Sequence, residues 1–172
     1  KPLVVVTSPM GYGKTTAVKA FLQKQKNTVV WTTMTSASNI ANSEYFWLLL
    51  TKEIFKVSPE LAQNLEERGF PSGSAQVFRL LDFLKNYPKK ADMPVVLVID
   101  DYWLIENQEI NYLIQRAIGE NISWLRLVLI SRRIPDLPIE ELVIKGLCTT
   151  VDFDDLTFTY DDAKNYFNLI NF

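Results

Sequence analysis

A parallel α/β sheet is the fold class this sequence predicts, on three observations. Short apolar runs alternate with amphipathic, helix-period segments along the chain. The runs are apolar throughout instead of alternating, as strands covered on both faces require. The first run, Leu3–Val6, passes through a turn of small residues straight into a helical pattern, a strand–loop–helix unit.

Taken in order, residues 3–7 form the first strand and 13–26 the first helix, with Ala17, Val18, Phe21 and Leu22 on one side. Residues 28–33, β-branched and aromatic, form the second strand. A polar loop over 34–42 leads to a helix over 43–56 with Ser43 as its cap. Tyr45, Phe46, Trp47, Leu48, Leu49, Leu50, Ile54 and Phe55 make that helix apolar almost all round, so it is expected to be deeply buried. Ser58-Pro59 reads as N-cap plus first-turn proline, with Gly69 as the stop. A helix over 74–87 turns Val77, Leu80, Leu81 and Leu84 inward, and a charged turn follows over 88–94. The third strand covers 95–99 and ends in Asp100-Asp101. A helix over 107–119 carries Ile110, Leu113, Ile114 and Ala117 on one face. The fourth strand, 125–130, ends in Ser131-Arg132-Arg133. A proline-punctuated loop follows, then 140–144, open between short helix and strand. Residues 150–153 read as the fifth strand, and Thr159, with Asp162 three residues on, caps a last helix bearing Ala163, Tyr166, Phe167 and Ile170.

Composition bounds the function. With 172 residues, one domain is expected. A 48% apolar and 22% charged content is globular, and a net charge of −2 without a basic block does not advertise nucleic-acid binding by these residues. No apolar run reaches a membrane span. The lone Cys148 allows no internal disulfide and fits a cytoplasmic setting. The absence of histidine excludes a histidine triad, histidine metal ligands and histidine acid–base chemistry here. Lys1 stands two residues before a core strand and Phe172 falls inside a helical pattern, so the chain reads as a fragment of a larger protein.

The chemistry concentrates in residues 3–16, LVVVTSPMGYGKTT. A helix N-terminus offers unpaired N–H groups and partial positive charge, and small residues let the backbone wrap a phosphate. Met10, Gly11, Tyr12, Gly13, Lys14, Thr15 and Thr16 are the candidate nucleotide contacts, with Lys14 for the β- and γ-phosphates and Thr15 for Mg²⁺. The pattern GxxxxGK[ST] meets Ser8 where its first glycine belongs, a small residue that tolerates the turn. Asp100, at a strand's carboxyl end, is the candidate second Mg²⁺ ligand, and Asp101 the candidate for orienting the attacking water. Arg132, at the next strand tip, is the candidate γ-phosphate sensor, with Arg133 in competition. The bland alternatives are a strand ending in turn-forming aspartates and a solvated arginine pair. No NKxD-like segment is present, which favours adenine over guanine.

In this order, VVVTSPMGYGKTT, VVWTTM, Phe46-Trp47, LVIDDYWLI and LRLVLISRRIPDLP resemble the nucleotide-binding domain of STAND proteins, the signal-transduction ATPases with numerous domains. The resemblance is strongest to their large maltose-regulator-like, LuxR-type transcription activators, and VDFDDLTFTYDDAKNYF is similar to the segment where that sheet ends and a helical lid begins. It implies a three-layer α/β/α P-loop NTPase fold of the ASCE/AAA-like kind, its five-stranded parallel sheet in the order 5-1-4-3-2. It implies a nucleotide-binding domain over 1–158 and the start of a lid over 159–172. Lys14 and Thr15 would be the Walker A pair, Asp100 and Asp101 the Walker B pair, and Arg132 the sensor-1 arginine. ATP/ADP and Mg²⁺ would serve as a switch, with slow ATP hydrolysis resetting it. Lid, sensor and effector domains of the same chain would be the partners, with DNA touched only by a domain outside these residues. Two alternatives stay open: a small-molecule or nucleoside kinase, poorly served by the scattered Arg68, Arg79, Arg116, Arg126, Arg132 and Arg133, and a non-hydrolysing nucleotide-binding module.

Overall fold

The computed structural model describes residues 1–35, 42–87 and 94–157. Five strands form one all-parallel sheet: β1 (Leu3–Thr7), β2 (Thr28–Thr33), β3 (Val95–Asp100), β4 (Leu125–Ser131) and β5 (Cys148–Val151), in the order β2-β3-β4-β1-β5. Read from the other edge this is 5-1-4-3-2, the order the family resemblance implies. Among the described residues, seven α-helices connect and extend the strands: α1 (Lys14–Gln23), α2 (Ser43–Phe55), α3 (Pro59–Arg68), α4 (Ser74–Asn86), α5 (Gln108–Gly119), α6 (Ile139–Ile144) and α7 (Phe153–Leu156).

The period of two along each strand divides the core between the two faces. Leu3 and Val5, Leu97 and Ile99, and Leu127 and Leu129 join one cluster with apolar residues of α2, α3, α4, α5 and α6. Val6, Val96, Val98, Val128 and Ile130 join the other, on the α1 side, with Leu22. Helices thus cover both faces, and the fold is a three-layer α/β/α sandwich of the P-loop NTPase type. Burying one such leucine or isoleucine contributes roughly 1.5–3 kcal/mol. The polar atoms that enter the core are satisfied. Trp47 Nε1 donates to the Leu65 carbonyl at 2.9 Å, Trp124 Nε1 to the Leu84 carbonyl at 2.9 Å, and the Tyr102 hydroxyl to Asn111 Oδ1 at 2.6 Å.

Several expectations need correction. α1 ends at Gln23, and of its apolar side only Leu22 is buried; Phe21 stays 63% exposed and Ala17 is exposed, because a single helix meets a flat sheet along one line. Asn42, not Ser43, caps α2: its Oδ1 accepts from the N–H groups of Glu44 and Tyr45. α2 is buried along Phe46, Trp47, Leu50 and Ile54, while Leu48 and Phe55 face outward, so an apolar sequence all round did not mean burial all round. Residues 139–144 settle as a short helix. β5 begins two residues earlier than expected, because Cys148 pairs with Leu3 and Asp152 leaves the sheet to cap α7. The Ser58 cap, Pro59 and the Gly69 stop stand as read. The turn at 88–93, most of the loop before Asn42, and the helix and lid segment begun by Thr159 lie outside the described residues.

The connections position the candidate site. From β1 the chain crosses to the β2 edge and returns through β3 to β4, then passes over β1 to reach β5. Chain direction reverses beside β1, and the crevice above such a point, at the carboxyl ends of the strands, is where open α/β sheets take ligands. Thr7 and Ser131 are register partners there, and Asp100 ends β3 on the other side of β4.

Candidate functional site

The loop after β1 turns on two glycines in left-handed conformations, Gly11 at φ 91° and Gly13 at φ 71°. A side chain would strain both positions, and without side chains the backbone can close around a small anion. α1 starts directly after Gly13, with no side-chain cap and no acidic residue in its first turn, so its N-terminal N–H groups and positive dipole end are unopposed. Ser8, in the place of the motif's first glycine, is buried at 4% exposure, and its N–H reaches the Ser131 carbonyl at 3.4 Å. The small side chain suits a position closed in by β4.

Lys14 folds back over this loop. Its Nζ donates to the carbonyls of Ser8 at 2.6 Å and Pro9 at 2.8 Å. Burial holds its pKa below the ordinary value, assisted by Arg132 and opposed by Asp101 and Asp100. The Thr15 hydroxyl donates to the Asp100 carboxylate, at 3.0 Å to Oδ2 and 3.3 Å to Oδ1. Asp100 Oδ1 also accepts the Asp101 N–H at 2.9 Å. Asp101 is itself left-handed, φ 55° and ψ 36°, a conformation aspartate tolerates better than most residues. It starts a 3₁₀ turn, Tyr102–Leu104, that swings Trp103 back over the carboxylate. Trp103 Nε1 donates to Asp101 Oδ1 at 2.9 Å; Arg132 Nε lies 3.9 Å from the same oxygen, its guanidinium 4.7 Å from the centre of the Trp103 ring.

The structure therefore brings Lys14, Thr15, Asp100, Asp101 and Arg132 to one end of the sheet. Met10 and Tyr12 stand exposed on the loop, Tyr12 with its ring edge-on to Phe153 at 6.0 Å, and Thr16 is exposed on the first turn of α1. Arg133 goes elsewhere: its Nη2 donates to the Trp103 carbonyl at 3.1 Å and to Glu106 Oε1 at 2.8 Å. Sequence reasoning missed Trp103, whose part depends on the left-handed turn at Asp101, and no spacing in the sequence announces that turn.

The donor set suits a hard cation. A hydroxyl and a carboxylate already touch at the foot of the phosphate loop, and Mg²⁺ takes one or two such protein oxygens plus phosphate oxygens and water. Among the described residues no group of three or more His, Cys, Asp or Glu could hold a metal, so a bound Mg²⁺ would depend on phosphate oxygens as well. Burial raises the Asp100 pKa above 3.8, opposed chiefly by the Thr15 hydroxyl. Its proton is thus held more tightly in the folded state than in the unfolded one. The stability carried by the protonated form is full below the unfolded value and is lost as pH rises through the raised folded value. Asp100→Asn keeps an acceptor for Thr15 and for the Asp101 N–H while removing that charge. Thermal unfolding without nucleotide should show a higher Tm for this variant near pH 7, the gap closing as pH falls toward 3.8. A lower Tm at pH 7 would contradict the burial argument.

A phosphate loop between the inner strand and first helix of a 5-1-4-3-2 sheet, with two carboxylates and an arginine at neighbouring strand tips, defines a P-loop NTPase-type domain. The particular likeness is to a transcription regulator. The chain is similar to the HTH-type transcriptional regulator MalT of Klebsiella pneumoniae subsp. pneumoniae, 29% identical over an alignment of 172 positions that covers 96% of this chain and 18% of the relative. The same protein of Klebsiella pneumoniae strain 342 matches to the same extent. The chain thus spans about a fifth of the length of these curated relatives. No family model matches it. Among solved structures, a chain of Drosophila ORC bound to DNA aligns with 87% of this chain and 36% of its own, at a TM-score of 0.45 and 15% identity. No helix among the described residues is long and apolar enough to cross a membrane.

Proposed function

We propose that this chain is the ATP-binding and slowly ATP-hydrolysing switch domain of a multidomain, cytoplasmic transcription regulator of the STAND class. The observation that carries the reading is the contact of Thr15 with Asp100 at the foot of an uncapped helix, with Lys14, Asp101 and Arg132 around it. The loop from Met10 to Thr16 would cradle the phosphates through backbone N–H groups. Lys14 would exchange the Ser8 and Pro9 carbonyls for β- and γ-phosphate oxygens. Thr15 and Asp100 would hold Mg²⁺, which supplies charge neutralisation when bound. Asp101 would accept a hydrogen bond from the attacking water, and Arg132 would donate to the γ-phosphate. Phosphoryl transfer to water needs positioning and charge more than covalent help, and these groups provide both. Residues 1–158 would form the nucleotide-binding domain and 159–172 the start of its lid. Sensor and effector domains elsewhere in the protein would read the nucleotide state, with DNA contacted only there. The size of the MalT relatives and their transcriptional role support that assignment.

Thermal unfolding with ATP, ADP or GTP, each with and without Mg²⁺, tests it. At a hundred times Kd a ligand adds ~2.7 kcal/mol of stability. The expected result is a shift with ATP and ADP, deepened by Mg²⁺, and a smaller one with GTP. No shift with any nucleotide in the intact protein would overturn the reading, and a phosphorylated small molecule formed from ATP would turn it toward a kinase.

A further inference from the structure

We infer that Trp103 is a positioning residue that holds Asp101 and Arg132 together as one unit, so that γ-phosphate sensing and water positioning respond jointly to ATP. This rests on the nucleotide reading above and adds to it a residue and a means of telling ATP from ADP.

Three contacts converge on the indole. Its N–H donates to Asp101 Oδ1, its ring face carries the Arg132 guanidinium, and Arg132 Nε approaches the same carboxylate oxygen at 3.9 Å. A planar cation on an aromatic face and a ring N–H on a carboxylate are both favourable and both directional. Together they fix where Asp101 and Arg132 stand. The turn that presents Trp103 is itself anchored. Neighbouring Tyr102 is buried, with its hydroxyl on Asn111 Oδ1 at 2.6 Å, and Arg133 Nη2 holds the Trp103 carbonyl at 3.1 Å. Arg132 lies close enough to Lys14 for its charge to disfavour that of the amine. A γ-phosphate beside Lys14 would meet an Arg132 already placed by the ring and an Asp101 already held by the Trp103 N–H, so less ordering is needed when ATP binds. ADP lacks that phosphate and gains nothing from the placement.

The test uses the intact protein. Affinities for ATP and ADP in Mg²⁺ are measured by calorimetry for wild type, Trp103→Phe, which keeps the ring and loses the N–H, and Trp103→Ala, which loses both. Trp103→His, which restores a flat ring with an N–H, serves as the rescue. The wild type is expected to prefer ATP. That preference should shrink by about tenfold in Trp103→Ala, the scale of a hydrogen bond to a charged group, with ADP affinity within about twofold of wild type. It should shrink less in Trp103→Phe and return in part in Trp103→His. Tryptophan emission in wild type, less that of Trp103→Phe, should change on adding ATP·Mg²⁺ and not ADP·Mg²⁺. An unchanged ATP preference in Trp103→Ala, or a Trp103 signal that answers ATP and ADP alike, overturns the inference while leaving nucleotide binding intact. Equal affinity of the wild type for ATP and ADP overturns it too. Failure of the wild type to bind either nucleotide removes the underlying reading, and is told apart by the absence of any binding heat.

Discussion

Lys14→Ala is expected to abolish measurable nucleotide binding and leave the fold standing. The side chain is half-buried at the surface of the loop, and its partners there are the Ser8 and Pro9 carbonyls. Truncation leaves those carbonyls to water at a mouth that is already open, so little of the domain's stability depends on it. The binding loss is large by comparison. Burial and Arg132 both work against the Lys14 charge, so the site favours an incoming anion. A hydrogen bond from a charged group contributes about 1.5–3 kcal/mol, and Lys14 would make two, one to each of two phosphates. Removing both weakens binding on the order of a thousandfold. Nucleotide at a hundred times the wild-type Kd then stands at about a tenth of the variant's, and the stabilisation drops from ~2.7 to ~0.06 kcal/mol. Thermal unfolding in ATP·Mg²⁺ reads the difference directly. A variant shifted as far as wild type would take Lys14 out of the site.

The sheet was legible because parallel strands leave a strong trace. β1, β3 and β4 are short apolar runs with turn residues after them, and burial on both faces demands that pattern. Their carboxyl ends were therefore readable to within a residue, and so were the tips that bear Asp100, Asp101 and Arg132. Helix amphipathicity was a weaker guide. α2 is apolar on nearly every side, and nothing in its sequence distinguishes Trp47, packed against Phe70 and bonded to Leu65, from Leu48, which faces out. β5 starts two residues before the expected 150–153, because pairing with β1 selects Cys148 to Val151 and Asp152 turns out of the sheet to cap α7.

The candidate site divides in the same way. Lys14, Thr15 and Asp100 sit at positions that backbone geometry dictates: the first turn of a helix after a glycine loop, and the end of a strand. Their meeting follows from the order of the strands. Which arginine faces the loop did not follow from the sequence, since Arg132 and Arg133 are adjacent and both exposed. The choice is made by Glu106 and the Trp103 carbonyl, which take Arg133, and by the Trp103 ring and Asp101, which take Arg132. Trp103 reaches both arginines from a 3₁₀ turn that follows Asp101 at φ 55°, a local conformation with no periodic signature.

That same backbone makes Asp101→Asn the informative substitution for catalysis. A left-handed conformation costs roughly 1–2 kcal/mol for most residues, whereas asparagine, like aspartate, adopts it readily. Alanine at this position would confound chemistry with strain. Asparagine keeps an Oδ1 acceptor for Trp103 Nε1 and removes only the charge that faces Arg132. The fold and the proposed binding groups Lys14, Thr15 and Asp100 are untouched, and one negative charge fewer beside a triphosphate is not expected to weaken ATP binding. A group that orients or deprotonates water contributes about 10²–10⁴-fold to rate. Hydrolysis followed as phosphate release, with enzyme in excess over ATP, should fall by that factor, while calorimetry with ATP·Mg²⁺ returns an affinity equal to or tighter than wild type. Unchanged hydrolysis would move the water to another residue. Loss of binding together with hydrolysis would make Asp101 part of the binding site, with no separate role in the reaction. A wild type that binds and never releases phosphate would make the domain a passive nucleotide-sensing module, in which the Asp101 charge serves only to hold Arg132 in place.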